Sequence, residues 1–191
     1  MTFTDEQLLK QAQQLNPDAL RSLHHRFYEP VARYISFKVG DPQVVEDLSS
    51  EVFLRVIEGL KRGYGWQGSP QGWIMGIARN VVADHYRKRE KMTEVVLSDQ
   101  LPSSEKTDPR HHALQKEQME LLRSAIAQLT DEQRDVVIMR FIQGVNINGV
   151  AEALKKTPGA VKGLQFRALK ALAEIMNEMS PEGSVGAEHV Q

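Results

Sequence analysis

Five cations stand between Lys155 and Lys170 (Lys155, Lys156, Lys162, Arg167 and Lys170) with no carboxylate among them. Five more lie between Arg79 and Lys91 (Arg79, Arg87, Lys88, Arg89 and Lys91) against Asp84 and Glu90 alone. The chemistry such groups do is pairing with phosphates, each neutralised phosphate steepening the salt dependence of binding by about one log-log unit. One charge run is ordinarily a solvated helix face. Two runs, each on the helix that would present it, point to a polyanion. The formal net charge of −1 lends no support of its own, so the signal is segregation of charge.

Two further stretches carry recognition chemistry. Lys61 to Gln71, KRGYGWQGSPQ, is a glycine-rich loop with two aromatics. Tyr64 and Trp66 there could stack on an unpaired base, and could equally fold back onto the helices. Glu46, Asp47, Glu51 and Glu58 make one side of the preceding helix acidic, relieved only by Arg55. An acidic surface repels DNA and suits a protein partner. Enzymatic chemistry finds little footing: no glycine-rich phosphate loop opens a helix, no Ser–His–Asp grammar appears, and cysteine is absent. His24-His25 and His111-His112 are adjacent pairs, which do not face one another on a helix, so no metal site and no cofactor is expected.

The elements that must position these groups are helical. Gly72 to Arg89 is apolar at helical spacing through Trp73, Ile74, Ile77, Ala78, Val81 and Val82, which anchors one face and leaves Arg79, Asn80, Arg87, Lys88 and Arg89 on the other. Upstream, Thr4-Asp5-Glu6-Gln7 reads as a capping box. Asn16-Pro17 then opens a helix through Leu20, Leu23, Phe27, Val31, Tyr34 and Ile35, bent near Pro30. Gly40-Asp41-Pro42 repeats the stop-and-restart grammar before the acidic helix, Gln43 to Leu60. Its Val44, Val45, Leu48, Val52, Phe53, Val56 and Ile57 form an apolar face wider than one small core needs.

Downstream, a helix runs through Leu114, Leu121, Leu122, Ala125, Ile126 and Leu129, and Thr130-Asp131-Glu132-Gln133 is a second capping box. Asn146 caps a short helix with Val150, Ala151 and Leu154. A three-residue turn, Lys155-Lys156-Thr157, leads into Pro158 to Ile175. That is the helix-turn-helix pattern, with Ala151 small at the crossing and Val161 buried between the helices. The fold class is all-α: two small helical domains, 1–92 and 111–179, joined by a Ser-, Thr- and Pro-containing linker over 93–110, with a disordered tail over 180–191. Neither a signal peptide nor a membrane-spanning run is expected, and cysteine-free composition suits a reducing cytoplasm.

Several of these stretches together resemble one family. Val45-Glu46-Asp47-Leu48-Ser49-Ser50-Glu51-Val52-Phe53-Leu54-Arg55-Val56 is similar to the "AEDLTQEVFLRVW" helix of the sigma-70 family. Trp73-Ile74-Met75-Gly76-Ile77-Ala78-Arg79-Asn80, followed by Asp84 to Arg89, resembles its "WLxxIARNxxxDxxRRR" helix. Leu129 to Arg134 and Gly159-Ala160-Val161-Lys162 look like "LPxxxRxVxxLR" and "GTVKSR" of its C-terminal domain. The likeness covers Asp5 to about Met176 in order, and the two-domain length is similar to the extracytoplasmic-function subgroup.

The resemblance implies a bacterial initiation factor that binds core RNA polymerase and selects promoters. By it, the helix carrying Asp47, Leu48, Glu51, Val52, Phe53, Arg55 and Val56 docks on the clamp helices of the largest polymerase subunit. Trp66, Gln67, Arg79, Asn80, Asp84, Arg87, Lys88 and Arg89 would meet the −10 element as melted single strand, Asn80 reading a base and Trp66 near a flipped one. Lys156, Thr157, Ala160, Lys162, Gln165, Arg167 and Lys170 would meet the −35 major groove. Many relatives are held by anti-sigma factors, and nothing in the sequence identifies one here. Two departures stand out. Gly149 replaces a Glu common in the family, which predicts a frayed first helix of the helix-turn-helix, and Gly163-Leu164-Gln165-Phe166 replaces the commoner "SRLH". A free-standing helix-turn-helix regulator and a helical interaction module without a DNA role are the rival readings.

Overall fold

Prolines and small polar caps punctuate the chain, at Pro17, Pro42 and Pro158 as the spacing predicts, while Pro70, read as part of the loop, opens its helix two residues before the expected Gly72. In the computed structural model, which describes residues 4–93 and 112–179, Pro17, Pro42, Pro70 and Pro158 each open a helix, where the missing N–H costs nothing. The N-terminal elements are α1 (Asp5–Gln13), α2 (Pro17–Ser36), α3 (Pro42–Lys61) and α4 (Pro70–Thr93). After them come α5 (His112–Ala127), α6 (Asp131–Val137), a π-helical turn (Ile138–Ile142), α7 (Ile147–Leu154) and α8 (Pro158–Met179). No strand occurs among the described residues. The expected linker and tail lie outside the described residues, apart from Thr93, the last residue of α4.

The caps drawn from sequence at Thr4, Asn16 and Asp41 are made, and Ser69 adds one that the sequence reading did not single out. Thr4 Oγ1 accepts from Gln7 N at 3.3 Å while Gln7 Oε1 accepts from Thr4 N at 3.1 Å. Asn16 and Asp41 accept from Asp18 N and Gln43 N at 2.9 and 2.8 Å, and Ser69 Oγ accepts from Gly72 N at 3.1 Å to start α4. Each such cap stabilises its helix by about 1 kcal/mol.

α2, α3 and α4 pack on one another over Leu23, Phe27, Val31, Ile35, Val52, Val56, Leu60, Ile74, Ala78 and Val81, all buried. α1 closes one side with Leu8 and Ala12. The second bundle centres on Ile126, Val136, Ile138, Met139, Val150, Leu154, Val161, Leu164 and Ala168. Phe141 is exposed, and Met139 takes the inward position. The π-helical turn and Gly144, at φ +65°, end this segment as it turns toward α7.

The two bundles share one continuous apolar core, and α4 against α7 is the broadest contact between any two helices. Gly72 and Gly76 on α4 face Gly149 and Ala153 on α7. A Cβ placed on Gly72 would lie 2.7 Å from both Cα and O of Gly149, and one on Gly76 would lie 3.2 Å from Cα of Ala153. Small residues one turn apart on both helices therefore set the separation. The expected fraying of α7 does not occur: Asn146 Oδ1 accepts from Gly149 N at 2.8 Å, and the helix runs unbroken to Leu154. One cap bond suffices because the helix is also held by burial of Val150, Ala151, Ala153 and Leu154.

Candidate nucleic-acid interface

α4 carries the first candidate surface. Its buried stripe is Ile74, Met75, Ala78, Val81 and Val82, and Asn80, Arg87, Lys88 and Arg89 are exposed on the remainder. Arg79 and Asp84 behave differently. Asp84 receives Arg55 Nη1 of α3 at 2.7 Å and also pairs with Arg87 one turn on, while Arg55 bonds Glu51. The Arg55 hydrogen bond holds the Asp84 carboxyl below its ordinary value against the opposing effect of burial, with Arg87 helping. Asp84 and Arg55 thus lock α3 to α4.

Arg79 Nε donates to Asp135 Oδ2 of α6 at 2.8 Å. The same carboxylate receives Lys38 Nζ at 2.6 Å and the Tyr34 hydroxyl at 2.8 Å, and it is 2% exposed. Three donors from the N-terminal bundle so converge on one acid from the C-terminal bundle. Burial, then the neighbouring Asp135 charge, pushes the Tyr34 hydroxyl well above its ordinary value, so it stays a donor. A cleft of about 470 Å³, lined among others by Lys38, Arg79, Tyr86, Arg134 and Asp135, opens beside this cluster.

In the loop before α4 the two aromatics part. Trp66 is buried, with its ring centroid 6.0 Å from that of Trp73, and Tyr64 is exposed. Gln67 is exposed, but its backbone N–H donates to Glu152 Oε1 of α7 at 3.3 Å, and Ser69 N donates to Glu152 Oε2 at 3.4 Å. Glu152 was not among the residues singled out from sequence. Its only sequence signal is a carboxylate on an otherwise apolar α7.

α3 presents less apolar surface than its composition suggested. Leu48, Val52, Phe53 and Val56 are buried where α2 and α4 pack on this helix, while Val44, Val45 and Ile57 are half-buried. The four buried side chains are thus engaged within the bundle. What remains outward at helical spacing is Asp47, Glu51, Leu54 and Glu58, of which Leu54 is 62% exposed and was not anticipated.

The third surface is the helix-turn-helix. Lys155 takes φ +53° at the end of α7, and Thr157 Oγ1 accepts from Ala160 N at 3.2 Å to start α8. Ala160, Lys162 and Arg167 are exposed, as is Lys170 near Glu174. Lys156 pairs with Glu132 at 2.8 Å, and Gln165 Oε1 accepts from Arg140 Nε at 3.4 Å, so both belong partly to the fold. Phe166, passed over in the sequence reading except as a departure, stands 73% exposed on this helix between the cations. Among the described residues no cluster of three or more His, Cys, Asp or Glu gathers for a metal ion, and no helix is long and apolar enough to cross a membrane.

Comparison with known proteins adds identity to this geometry. The Sigma-70 region 2 model matches residues 23–92 and the Sigma-70 region 4 model residues 125–174. The chain is 34% identical over 172 residues to the ECF RNA polymerase sigma factor BldN of Streptomyces coelicolor, an alignment spanning 89% of this chain and 65% of that protein's length. It is 30% identical over 170 residues to the ECF RNA polymerase sigma factor SigX of Bacillus subtilis, spanning 86% of this chain and 87% of SigX. Among solved structures, CnrH in complex with the cytosolic domain of CnrY superposes with TM-score 0.69 at 21% identity, over 92% of this chain and 99% of that one. At that identity the likeness is one of fold.

Proposed function

The chain belongs to the sigma-70 family of RNA polymerase sigma factors, among the ECF members, and from that premise we propose how its surfaces divide the work of initiation. It is a binding factor and not a catalyst, and it works in the cytoplasm beside the polymerase it directs to promoters. The observation that carries the reading is the separation, on one chain, of an outward carboxylate stripe on α3 from outward cations on α4 and α8.

Asp47, Glu51, Leu54 and Glu58 make the polymerase-docking stripe: charge for steering, one exposed leucine for burial. α4 takes the melted −10 strand, with Asn80 offering its amide to a base edge and Arg79, Arg87, Lys88 and Arg89 meeting phosphates. Asp84 positions α4 rather than touching the strand, since Arg55 and Arg87 already occupy it. α8 lies in the −35 major groove with Lys162 and Arg167 on phosphates or base edges, and Phe166 supplies an apolar contact of the kind a thymine methyl accepts. A free-standing helix-turn-helix regulator would need only the C-terminal half. The region 2 match over residues 23–92 favours the initiation factor.

The test is transcription in vitro with purified core polymerase across a promoter library, with and without the protein. Identical start sites in both would refute the reading. Asp47→Lys places a cation in the docking stripe without entering the core and is expected to abolish co-purification with core polymerase while leaving the melting curve unchanged. Retained co-purification would remove α3 from the docking role.

A further inference from the structure

The run Gly163-Leu164-Gln165-Phe166, which departs from the family's commoner residues, divides in the structure. Leu164 turns into the core beside Val161 and Ala168, and Phe166 stands exposed. Gln165 lies between them on the flank of α8, half-buried. Lys162 precedes Gln165 by three residues and Phe166 by four, so the three line one edge of the helix.

One bond sets the orientation of Gln165. Arg140 Nε donates to its Oε1 at 3.4 Å, and Arg140 Nη1 is itself anchored on the backbone carbonyl of Val145, ahead of α7. Arg140 is the middle residue of the π-helical turn, a distortion that often falls at working sites. A guanidinium offers donors alone, so the carbonyl of the Gln165 amide must be the end that faces it. The amino group is thereby turned the other way. It has no partner among the described residues, and it is not sealed from solvent. A freely turning glutamine offers an acceptor and a donor together, the pair that suits N6 and N7 of adenine. With its carbonyl drawn inward to Arg140, Gln165 presents only a donor.

We propose that Arg140 fixes Gln165 as a donor-only reader of the −35 element, selecting guanine over adenine at one base pair. Guanine shows two neighbouring acceptors, N7 and O6, in the major groove. Adenine shows N7 beside an amino group, which opposes the Gln165 amino group donor to donor. The inference rests on the reading of α8 as the −35 helix. Gln165 is then the specificity-determining residue, and Arg140 is a positioning residue that acts on the base through it.

The test is selection of bound DNA by the full chain with core polymerase, from promoters randomised over the −35 element and read by sequencing. Wild type is expected to favour guanine over adenine about tenfold at one position, and Gln165→Ala to lose that preference there alone. Arg140→Met keeps the reach of the side chain without its donors. It should let the amide turn over, so that adenine rises to match guanine at that position and the others hold. Arg140→Lys still donates and should retain guanine. Gln165→Glu leaves Arg140 and its anchor in place, which covers the case of Arg140→Met loosening the turn. Its carboxylate keeps the inward bond and puts an acceptor outward, so the preference should move to cytosine, whose N4 amino group donates.

A fall in binding spread evenly over all positions in both Arg140→Met and Gln165→Glu would make the pair structural and overturn the proposal. A wild-type preference for adenine at the position that Gln165→Ala identifies would do the same. If wild type enriches a −35 sequence and no position responds to Gln165→Ala, the proposal falls while α8 keeps its place in the groove. If wild type enriches no −35 sequence, the placement of α8 falls and takes the proposal with it.

Discussion

Asp135→Ala tests the weight of the central carboxylate. The acid is 2% exposed and serves Tyr34, Lys38 and Arg79 at 2.8, 2.6 and 2.8 Å. Removing it strands the Lys38 ammonium, whose side chain is 6% exposed and whose other acid among the described residues, the largely exposed Asp131, lies 3.9 Å away. Arg79, 32% exposed, reaches water through the adjoining cleft and loses less. Breaking a buried pair from one side costs about 3–5 kcal/mol, and the lower end applies because one of the two cations is partly solvated. The loss of about 3 kcal/mol falls on the contact between α6 and the N-terminal bundle. Denaturant unfolding of Asp135→Ala should show that loss of stability while far-ultraviolet dichroism keeps the helical content. A stability equal to wild type would mean that the carboxylate contributes little to the contact, and loss of the C-terminal helices would make Asp135 a core residue of α6 and refute the reasoning.

Two further outcomes follow from ionisation. Tyr34 has its folded value raised by burial and by Asp135, so the neutral phenol favours the folded state; that contribution is intact below the ordinary value of 10.0 and is lost as pH rises through the folded value. Phenolate absorbance of wild type against Tyr34→Phe should show Tyr34 ionising only well above pH 10.0, together with loss of helical dichroism, and an ordinary titration would contradict this. Asp84 has its folded value lowered, first by the Arg55 hydrogen bond, so its contribution is present above 3.8 and lost as pH falls through the folded value. Asp84→Asn should lower stability by about 1 kcal/mol at neutral pH, a modest figure because the pair is partly solvated, and by nothing at strong acid; denaturant curves at both conditions decide it.

Much of the fold was legible because helix signals are local. The capping boxes at Thr4 and Thr130, the prolines at 17, 42 and 158, and the apolar stripe of α4 lie within a few residues of what they determine. The helix-turn-helix was legible for the same reason, down to Ala151 and Val161 in its crossing. Partners were not. Periodicity shows that a face is buried and not what buries it, so the sequence could not tell that α2 and α4 bury Leu48, Val52, Phe53 and Val56 of α3. Tyr34 and Asp135 are 101 positions apart, and no local pattern joins them; beside Asp131 and Glu132, Asp135 reads as one more solvated acid.

Position 149 shows how a local misfit and a distant fit can be one fact. Judged by its own helix, Gly149 is a poor choice: it forgoes a side chain that would close a capping box and costs about 1 kcal/mol in helix propensity. In the folded chain a Cβ at 149 would meet Val145 Cγ1 of its own bundle at 2.8 Å and Ser69 Oγ ahead of α4 at 3.3 Å, while the facing Gly72 has no room for a Cβ against the Gly149 backbone. The local loss goes with a close approach of α7 to α4 that small residues on both helices permit. Gly149, and the carboxylates of Glu152 and Asp135 that accept from donors of the N-terminal bundle, thus serve one contact between the bundles, and none of the three is explained by its own helix alone.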